Sequence, residues 1–260
     1  MWARPRQYLC MLQASSISIV LDVYMPERNA LLDLLGGLSD DDWQLPTECP
    51  AYSVHGVAVH ILGDDLSLLS RQRDGTVDGV SLLAPELPNA EFRLKLDTFN
   101  DRWVTTTRFL SSRALMDLLR VSGGWTEQYY RTVDPEAPGE PVGLFGASWG
   151  EASPFWQAIA REYLERWIHH SQIRRAVTQP SLAERQFLTP GIEVAAAIGG
   201  LEAGIPPSPD GPWALGPLVL GPRQQTADIL TRAHPADVVR GLVHGPPDLV
   251  SVLADVVGRP

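Results

Sequence analysis

The segment 165–175, ERWIHHSQIRR, contains the residues with the clearest potential for chemistry. Glu165 and His169 are four residues apart, so on a helix their side chains share one face, with Cβ atoms about 5–6 Å apart. A carboxylate and an imidazole at this spacing can bind one metal ion together. On spacing alone, an exposed helix face is the more frequent explanation of such a short motif. The salt-bridge partners on that face would be Arg161, Arg166, Arg174 and Arg175.

A metal site of this kind needs a third ligand from another part of the chain. The six histidines are His55, His60, His169, His170, His234 and His244. His60 is the strongest candidate because it lies in the middle of a predicted helix and shares its face with Gly56 and Gly63. Each helical glycine costs about 1 kcal/mol relative to alanine, a cost accepted for close packing or for open space beside a side chain. His60 can equally be a core histidine with satisfied hydrogen bonds.

The resulting set, His60, Glu165 and His169, contains two imidazoles and one carboxylate. Such a set suits zinc and leaves a fourth position for water or substrate, but it also suits iron, nickel or manganese. We predict that three further residues support the ligands or line the pocket. They are Asp64, His170 and Trp43. For His55, His234 and His244 the sequence indicates no role.

Composition narrows the class of partner. The chain has 260 residues and a formal net charge of −10, which argues against nucleic acid or an anionic membrane as the main partner. Residues 8–25 are apolar but too short and too polar to span a bilayer. Cys10 and Cys49 cannot form a disulfide framework, so we expect a cytoplasmic protein. Cys49 is either a reactive thiol or, because no base lies near it in sequence, a buried inert one.

The apolar periodicity and the capping residues predict mainly α-helix. Ser53 is a good helix N-cap, Ser111 marks a break, and Gly36 and Gly37 form a helix stop. The predicted helices cover residues 27–35, 53–75, 90–124 (broken near 111) and 154–177, with a loop over 125–154. After residue 180 the sequence is rich in glycine and proline, and it predicts a short hairpin over 213–220 and two short helices over 235–257. The expected architecture is an N-terminal helical bundle followed by a small C-terminal α+β appendage.

Two segments carry a family resemblance. Residues 31–75, LLDLLGGLSDDDWQLPTECPAYSVHGVAVHILGDDLSLLSRQRDG, resemble the mycothiol-dependent maleylpyruvate isomerase family of the DinB-like superfamily. Residues 163–177, YLERWIHHSQIRRAV, resemble a later helix of the same family. The family's usual Gly-Trp after Cys-Pro is replaced here by Ala51 and Tyr52.

The resemblance implies a domain organisation and a metal site. It implies an N-terminal extension over residues 1–24, a DinB-like four-helix bundle over 25–180, and a reduced sterol-carrier-like region over 181–260. It also implies that His60, Glu165 and His169 hold a divalent metal, usually zinc. The spacing of the residues had independently singled out the same three side chains.

Three functional hypotheses follow. In the first, the protein is a metal-dependent enzyme that activates a low-molecular-weight thiol, mycothiol by resemblance, for isomerisation or S-transfer on a small electrophilic substrate. In the second, metal-bound water makes it a hydrolase. In the third, it is a non-catalytic metal- or ligand-binding bundle, as the short C-terminal region and Tyr52 would fit. A homodimer is compatible with each hypothesis.

Overall fold

The computed structural model describes residues 17–49, 51–77, 79–83, 86, 92–138, 155–179 and 182, together with three short strands between residues 203 and 221. The helices are α1 (Ile17–Gly36), α2 (Val54–Leu68), α3 (Gly79–Leu83), α4 (Phe92–Thr107), α5 (Ser112–Tyr130) and α6 (Phe155–Ala176). A 3-10 turn covers Asp42–Gln44, and a π-helical turn over Leu69–Arg73 continues α2. The described part of the chain is therefore mostly helical, which confirms the predicted fold class.

Four of these helices form a bundle. α1 and α2 each pack against both α5 and α6, while α4 packs on the outer side of α2 and on α3. Buried aliphatic side chains from all four bundle helices make a shared core. They include Leu31, Leu35, Val57, Ile61, Leu62, Leu115, Leu119 and Ile173. Among the described helices, none combines the length and the apolar character that crossing a bilayer requires.

A buried ion-pair network ties the four bundle helices together. Arg28 of α1 donates hydrogen bonds to Asp65 Oδ2 of α2 at 2.8 Å and to the Leu119 carbonyl of α5 at 2.7 Å. Ser122 of α5 also donates to Asp65, at 2.6 Å. Arg166 of α6 completes the network by pairing with Asp65. We call Arg28, Asp65, Ser122 and Arg166 the buried network.

Both predicted capping residues act as caps. The Ser53 hydroxyl accepts a hydrogen bond from the Gly56 backbone N–H at 3.3 Å, and the Ser111 hydroxyl accepts one from Ala114 at 3.2 Å. These bonds satisfy amide groups that the first turn of a helix leaves without partners. The predicted break near Ser111 is therefore confirmed, and so is the helix predicted over 154–177.

Two predicted helix boundaries are wrong. α1 begins at Ile17 rather than at residue 27 and contains Pro26. Its first turns bury Ile17, Val20, Leu21 and Tyr24, a helical stripe whose burial outweighs the cost of the proline.

The helix α5 does not end at Gly124 but continues to Tyr130, into the region predicted as loop. Gly123 does not stop the helix here: it allows close approach, because a Cβ at this position would lie 3.0 Å from Arg28 Nη1.

The predicted hairpin over 213–220 is present. β2 (Trp213–Leu215) pairs antiparallel with β3 (Leu218–Gly221), and β1 (Ala203–Gly204) pairs with the other edge of β2. Residues 235–257, predicted as two short helices, lie outside the described residues. The division into residues 1–24, 25–180 and 181–260 stays a prediction.

Candidate metal centre

The two histidines predicted as ligands meet between α2 and α6. The ring centroids of His60 and His169 are 4.7 Å apart, and the rings stand edge to face. Both side chains are buried. Residues 109 positions apart in the chain are thus brought together by the packing of two helices.

Each histidine has a carboxylate one turn along its own helix. His60 Nε2 lies 3.3 Å from Asp64 Oδ2, and His169 Nε2 lies 3.6 Å from Glu165 Oε2. The two pairs face each other, so four potential ligands converge on one place. We call His60, Asp64, Glu165 and His169 the site cluster.

The glycines beside His60 serve close packing. A Cβ on Gly63 would overlap the indole ring of Trp103 on α4, with Cδ1 at 2.7 Å, and a Cβ on Gly56 would lie 3.1 Å from the Tyr52 Cβ. Trp103 is fixed in this position because its Nε1–H donates to the Val59 carbonyl at 2.8 Å. The glycines therefore let α4 and Tyr52 approach α2, and this contact holds the face that carries His60.

The exposed-face explanation of segment 165–175 is wrong. Arg166, which that explanation placed in solvent, is buried and pairs with Asp65. His169 and His170 are also buried, and Trp167 packs in the interior with its Nε1–H donating to the Leu182 carbonyl at 2.9 Å. Such a side-chain distribution is that of an internal helix of the bundle.

Solvent reaches the site cluster from its carboxylate side. The Asp64 side chain is 28% exposed and that of Glu165 is 18% exposed. The imidazoles are more enclosed, at 9% for His60 and 5% for His169. A small molecule would therefore approach past the carboxylates and meet the imidazoles at the inner end.

The cluster holds an excess of negative charge. Partial burial and the neighbouring carboxylates of Glu162 and Glu165 raise the pKa of Asp64 well above its usual range. Burial alone would lower the pKa of His169, but hydrogen bonding with Cys49 and Glu165 outweighs it, and the pKa is raised. Both shifts have the direction expected where carboxylates crowd together and favour any positive charge nearby.

The residues present fit a divalent cation in type and in location. Imidazole nitrogens and carboxylate oxygens are the donors that zinc and related metals take, and a cation would relieve the crowding of Asp64 by Glu162 and Glu165. Within the described ranges, no group of three or more His, Cys, Asp or Glu side chains stands in the arrangement of a formed metal site. The two Nε2 atoms instead face carboxylates on their own helices.

Two other predicted residues lie apart from the cluster. His170 is fully buried and donates its Nδ1–H to Glu27 on α1 at 2.8 Å. Trp43 lies in the 3-10 turn, buried in the hydrophobic core and edge to face with His55 at 5.9 Å between ring centroids. His55 Nε2–H donates to the Leu110 carbonyl at 2.8 Å. His234 and His244 lie outside the described residues.

Two residues beside the cluster were missed by the sequence. Cys49 is buried, and its thiol donates to Gln172 Oε1 at 3.2 Å. The same oxygen lies 2.9 Å from His169 Nδ1. The position of Gln172, three residues after His169, was a signal available in the sequence, since residues at this spacing share a helix face. The approach of Cys49, 123 residues away from Gln172, had no such signal.

Comparison with known proteins gives one match. The family described as mycothiol maleylpyruvate isomerase N-terminal domain matches residues 24–174, more than half of the 260 residues. The matched range includes α2 and nearly all of α6, and with them the whole site cluster. No curated protein and no solved structure matches the chain.

Proposed function

Because the chain belongs to the mycothiol maleylpyruvate isomerase N-terminal domain family, we propose that it is a metal-dependent enzyme that activates a low-molecular-weight thiol. Mycothiol is the proposed cosubstrate, since the family is described by it. The observation that carries the proposal is the meeting of His60 and His169 beside Glu165, buried between two helices. A set of ionisable groups packed into the interior in this way is typical of a functional centre.

In the proposal, His60, Glu165 and His169 hold a divalent metal, with zinc the best match to the donor set. When bound, the metal supplies a positive charge that stabilises the thiolate form of the cosubstrate. The role of the chain is to bring the three ligands together from α2 and α6 and to surround them with packed side chains. Tyr52, whose ring centroid is 6.1 Å from that of His60, closes one side of the cluster.

The proposed reaction is attack of the thiolate on an electrophilic carbon of a small substrate. Reversible addition to a cis double bond leaves a single bond that can rotate, and loss of the thiolate then gives the trans isomer. Displacement of a leaving group instead gives a stable thioether, with the leaving group carrying away the electron pair. Both outcomes need the thiol at the exposed, carboxylate side of the cluster.

Product analysis with and without mycothiol tests this proposal. Zinc-loaded protein would be incubated with maleylpyruvate, and separately with a haloalkane electrophile, and the products compared with those of Glu165→Ala. The matched control is Asp117→Ala, because Asp117 is an exposed carboxylate on α5, paired with Arg120. We expect thiol-dependent product from the wild type and from Asp117→Ala, and loss of it in Glu165→Ala.

Two outcomes would contradict the proposal. Turnover that proceeds equally without thiol would indicate a hydrolase. Zinc-loaded protein that gives no product with either substrate and does not bind mycothiol would indicate a non-catalytic bundle.

A further inference from the structure

A single side-chain oxygen joins a cysteine of the loop before α2 to a histidine of the site cluster. Gln172 Oε1 lies 2.9 Å from His169 Nδ1 and 3.2 Å from Cys49 Sγ. All three side chains are buried: Gln172 is 2% exposed, His169 4% and Cys49 8%. Water is therefore largely excluded from these contacts.

The chemistry of the three groups fixes the direction of both hydrogen bonds. An amide oxygen can only accept, while a thiol is a donor through its S–H. His169 Nδ1 must then carry a proton that points at Gln172. Nε2, the other ring nitrogen, faces Glu165 and the site cluster.

We propose that Gln172 is a positioning residue that holds His169 with Nδ1–H directed into the amide and Nε2 directed into the site cluster, and that Cys49 holds the Gln172 amide. The inference rests on the proposed function, because a defined Nε2 matters for binding a metal. Metal-bound histidines generally donate their second N–H to a fixed acceptor, which sets the ring orientation and increases the basicity of the ligand nitrogen. Here the acceptor is a neutral amide.

Cys49 gives this arrangement a link to the loop between the 3-10 turn and α2. Its backbone N–H donates to the Thr47 hydroxyl at 3.2 Å, and that hydroxyl in turn donates to the Tyr52 carbonyl at 2.8 Å. The loop conformation therefore sets where the thiol lies, and the thiol in turn keeps the Gln172 oxygen on the side of His169.

The direct test is nuclear magnetic resonance of the metal-free protein labelled with ¹⁵N-histidine. The signals of His169 are assigned by their loss in His169→Asn. We expect a protonated Nδ1 whose proton exchanges slowly with water in the wild type and in Gln172→Glu, and faster in Gln172→Leu. An unprotonated Nδ1 would show that the amide is reversed and donates to the ring, and this would overturn the inference. So would unchanged exchange in Gln172→Leu.

Zinc affinity, measured by competition with a chromophoric chelator, gives the functional readout. Loss of an acceptor of this kind costs about 10–100-fold in metal affinity, so we expect that loss in Gln172→Leu. Gln172→Glu, which keeps an acceptor, and Cys49→Ser, which keeps a donor, should stay close to the wild type. Gln172→Met is the second variant if leucine prevents folding, since it keeps the length of the side chain.

The outcomes separate the two proposals. Wild-type affinity in a folded Gln172→Leu or Gln172→Met protein would overturn the positioning role and leave the metal site intact. A wild type that binds no zinc would overturn the proposed function, while the exchange measurement would still decide whether His169 donates to Gln172.

Discussion

Three pairs of consecutive residues divide their side chains between the site cluster and other buried partners. The pairs are Asp64-Asp65, Glu165-Arg166 and His169-His170. In each pair the first residue belongs to the site cluster. The second reaches a buried charged partner: Asp65 and Arg166 pair with each other, and His170 pairs with Glu27. Since successive helical residues point about 100° apart, one stretch of helix can supply both a site and its support.

Asp65 is the residue whose charge the buried network depends on. Replacing it with asparagine keeps its shape but leaves the Arg28 and Arg166 guanidinium groups buried without their countercharge. Breaking a buried pair in this way costs about 3–5 kcal/mol, and we expect that loss in the free energy of unfolding measured in urea. The control, Asp117→Asn, removes an exposed pair with Arg120 and should change stability by less than about 1 kcal/mol. Equal stability of the two variants would contradict the role given to Asp65.

The same carboxylate predicts a dependence of stability on pH. Burial alone would raise the pKa of Asp65, but Arg166 and Arg28 outweigh it and hold the pKa below its usual range. A depressed pKa in the folded state gives stability that is complete above the unfolded pKa, about 3.9, and is lost as the pH falls below it. The difference in unfolding free energy between wild type and Asp65→Asn should therefore be constant from about pH 7 to 5 and shrink below about pH 4. A difference that grows as the pH falls would reverse the sign and contradict the assignment.

At the scale of helices, local sequence predicted most of what was needed and failed where tertiary contacts decide. Ser53 and Ser111 were recognisable as caps because their effect is confined to one turn. The start of α1 was missed because Pro26 suggests a boundary, whereas the burial of Tyr24 and its neighbours extends the helix through it. Gly123 was taken as a stop because nothing in the local sequence reveals that Arg28 packs against it.

Gly63 and Gly124 offer a matched comparison between a glycine that packs and one that does not. A Cβ at Gly63 would overlap the Trp103 ring, while a Cβ at Gly124 would meet nothing within 4 Å. Overpacking costs about 1–3 kcal/mol and helix propensity returns at most about 1 kcal/mol. We expect Gly63→Ala to lower the free energy of unfolding and Gly124→Ala to raise it, as measured by urea denaturation. A stabilised Gly63→Ala would show that α4 does not rest on α2 as described.

At the scale of the whole molecule, sequence spacing could supply one half of the site at a time. Glu165 and His169 were predictable as neighbours because they share a helix face, and so were His60 and Asp64. That the two halves meet depends on the packing of α2 against α6, which local sequence does not encode. The family resemblance filled this gap, because it placed His60 with Glu165 and His169. It did not reveal the contact of Cys49 with Gln172, which depends on the loop that precedes α2.

Metal binding should be visible in the stability of the whole bundle, since the ligands come from two of its helices. Zinc at about 100 times its dissociation constant adds about 2.7 kcal/mol to stability, which for a bundle of this size raises Tm by about 5–10 °C. Calorimetry of the metal-free protein with and without zinc measures this shift. We expect no shift in Glu165→Ala, and an equal shift in that variant would place the zinc elsewhere.

Metal content per chain, determined by elemental analysis of protein purified without a metal-binding tag, tests the central claim most directly. Wild type would be compared with His60→Ala, from α2, and Glu165→Ala, from α6. His55→Ala is the matched control, because His55 lies on α2 and bonds the Leu110 carbonyl instead of the site cluster. We predict close to one divalent metal ion per chain in the wild type and in His55→Ala, and its loss in the other two variants. A wild type that remains metal-free after reconstitution, or metal that survives both substitutions, would contradict a site shared between α2 and α6.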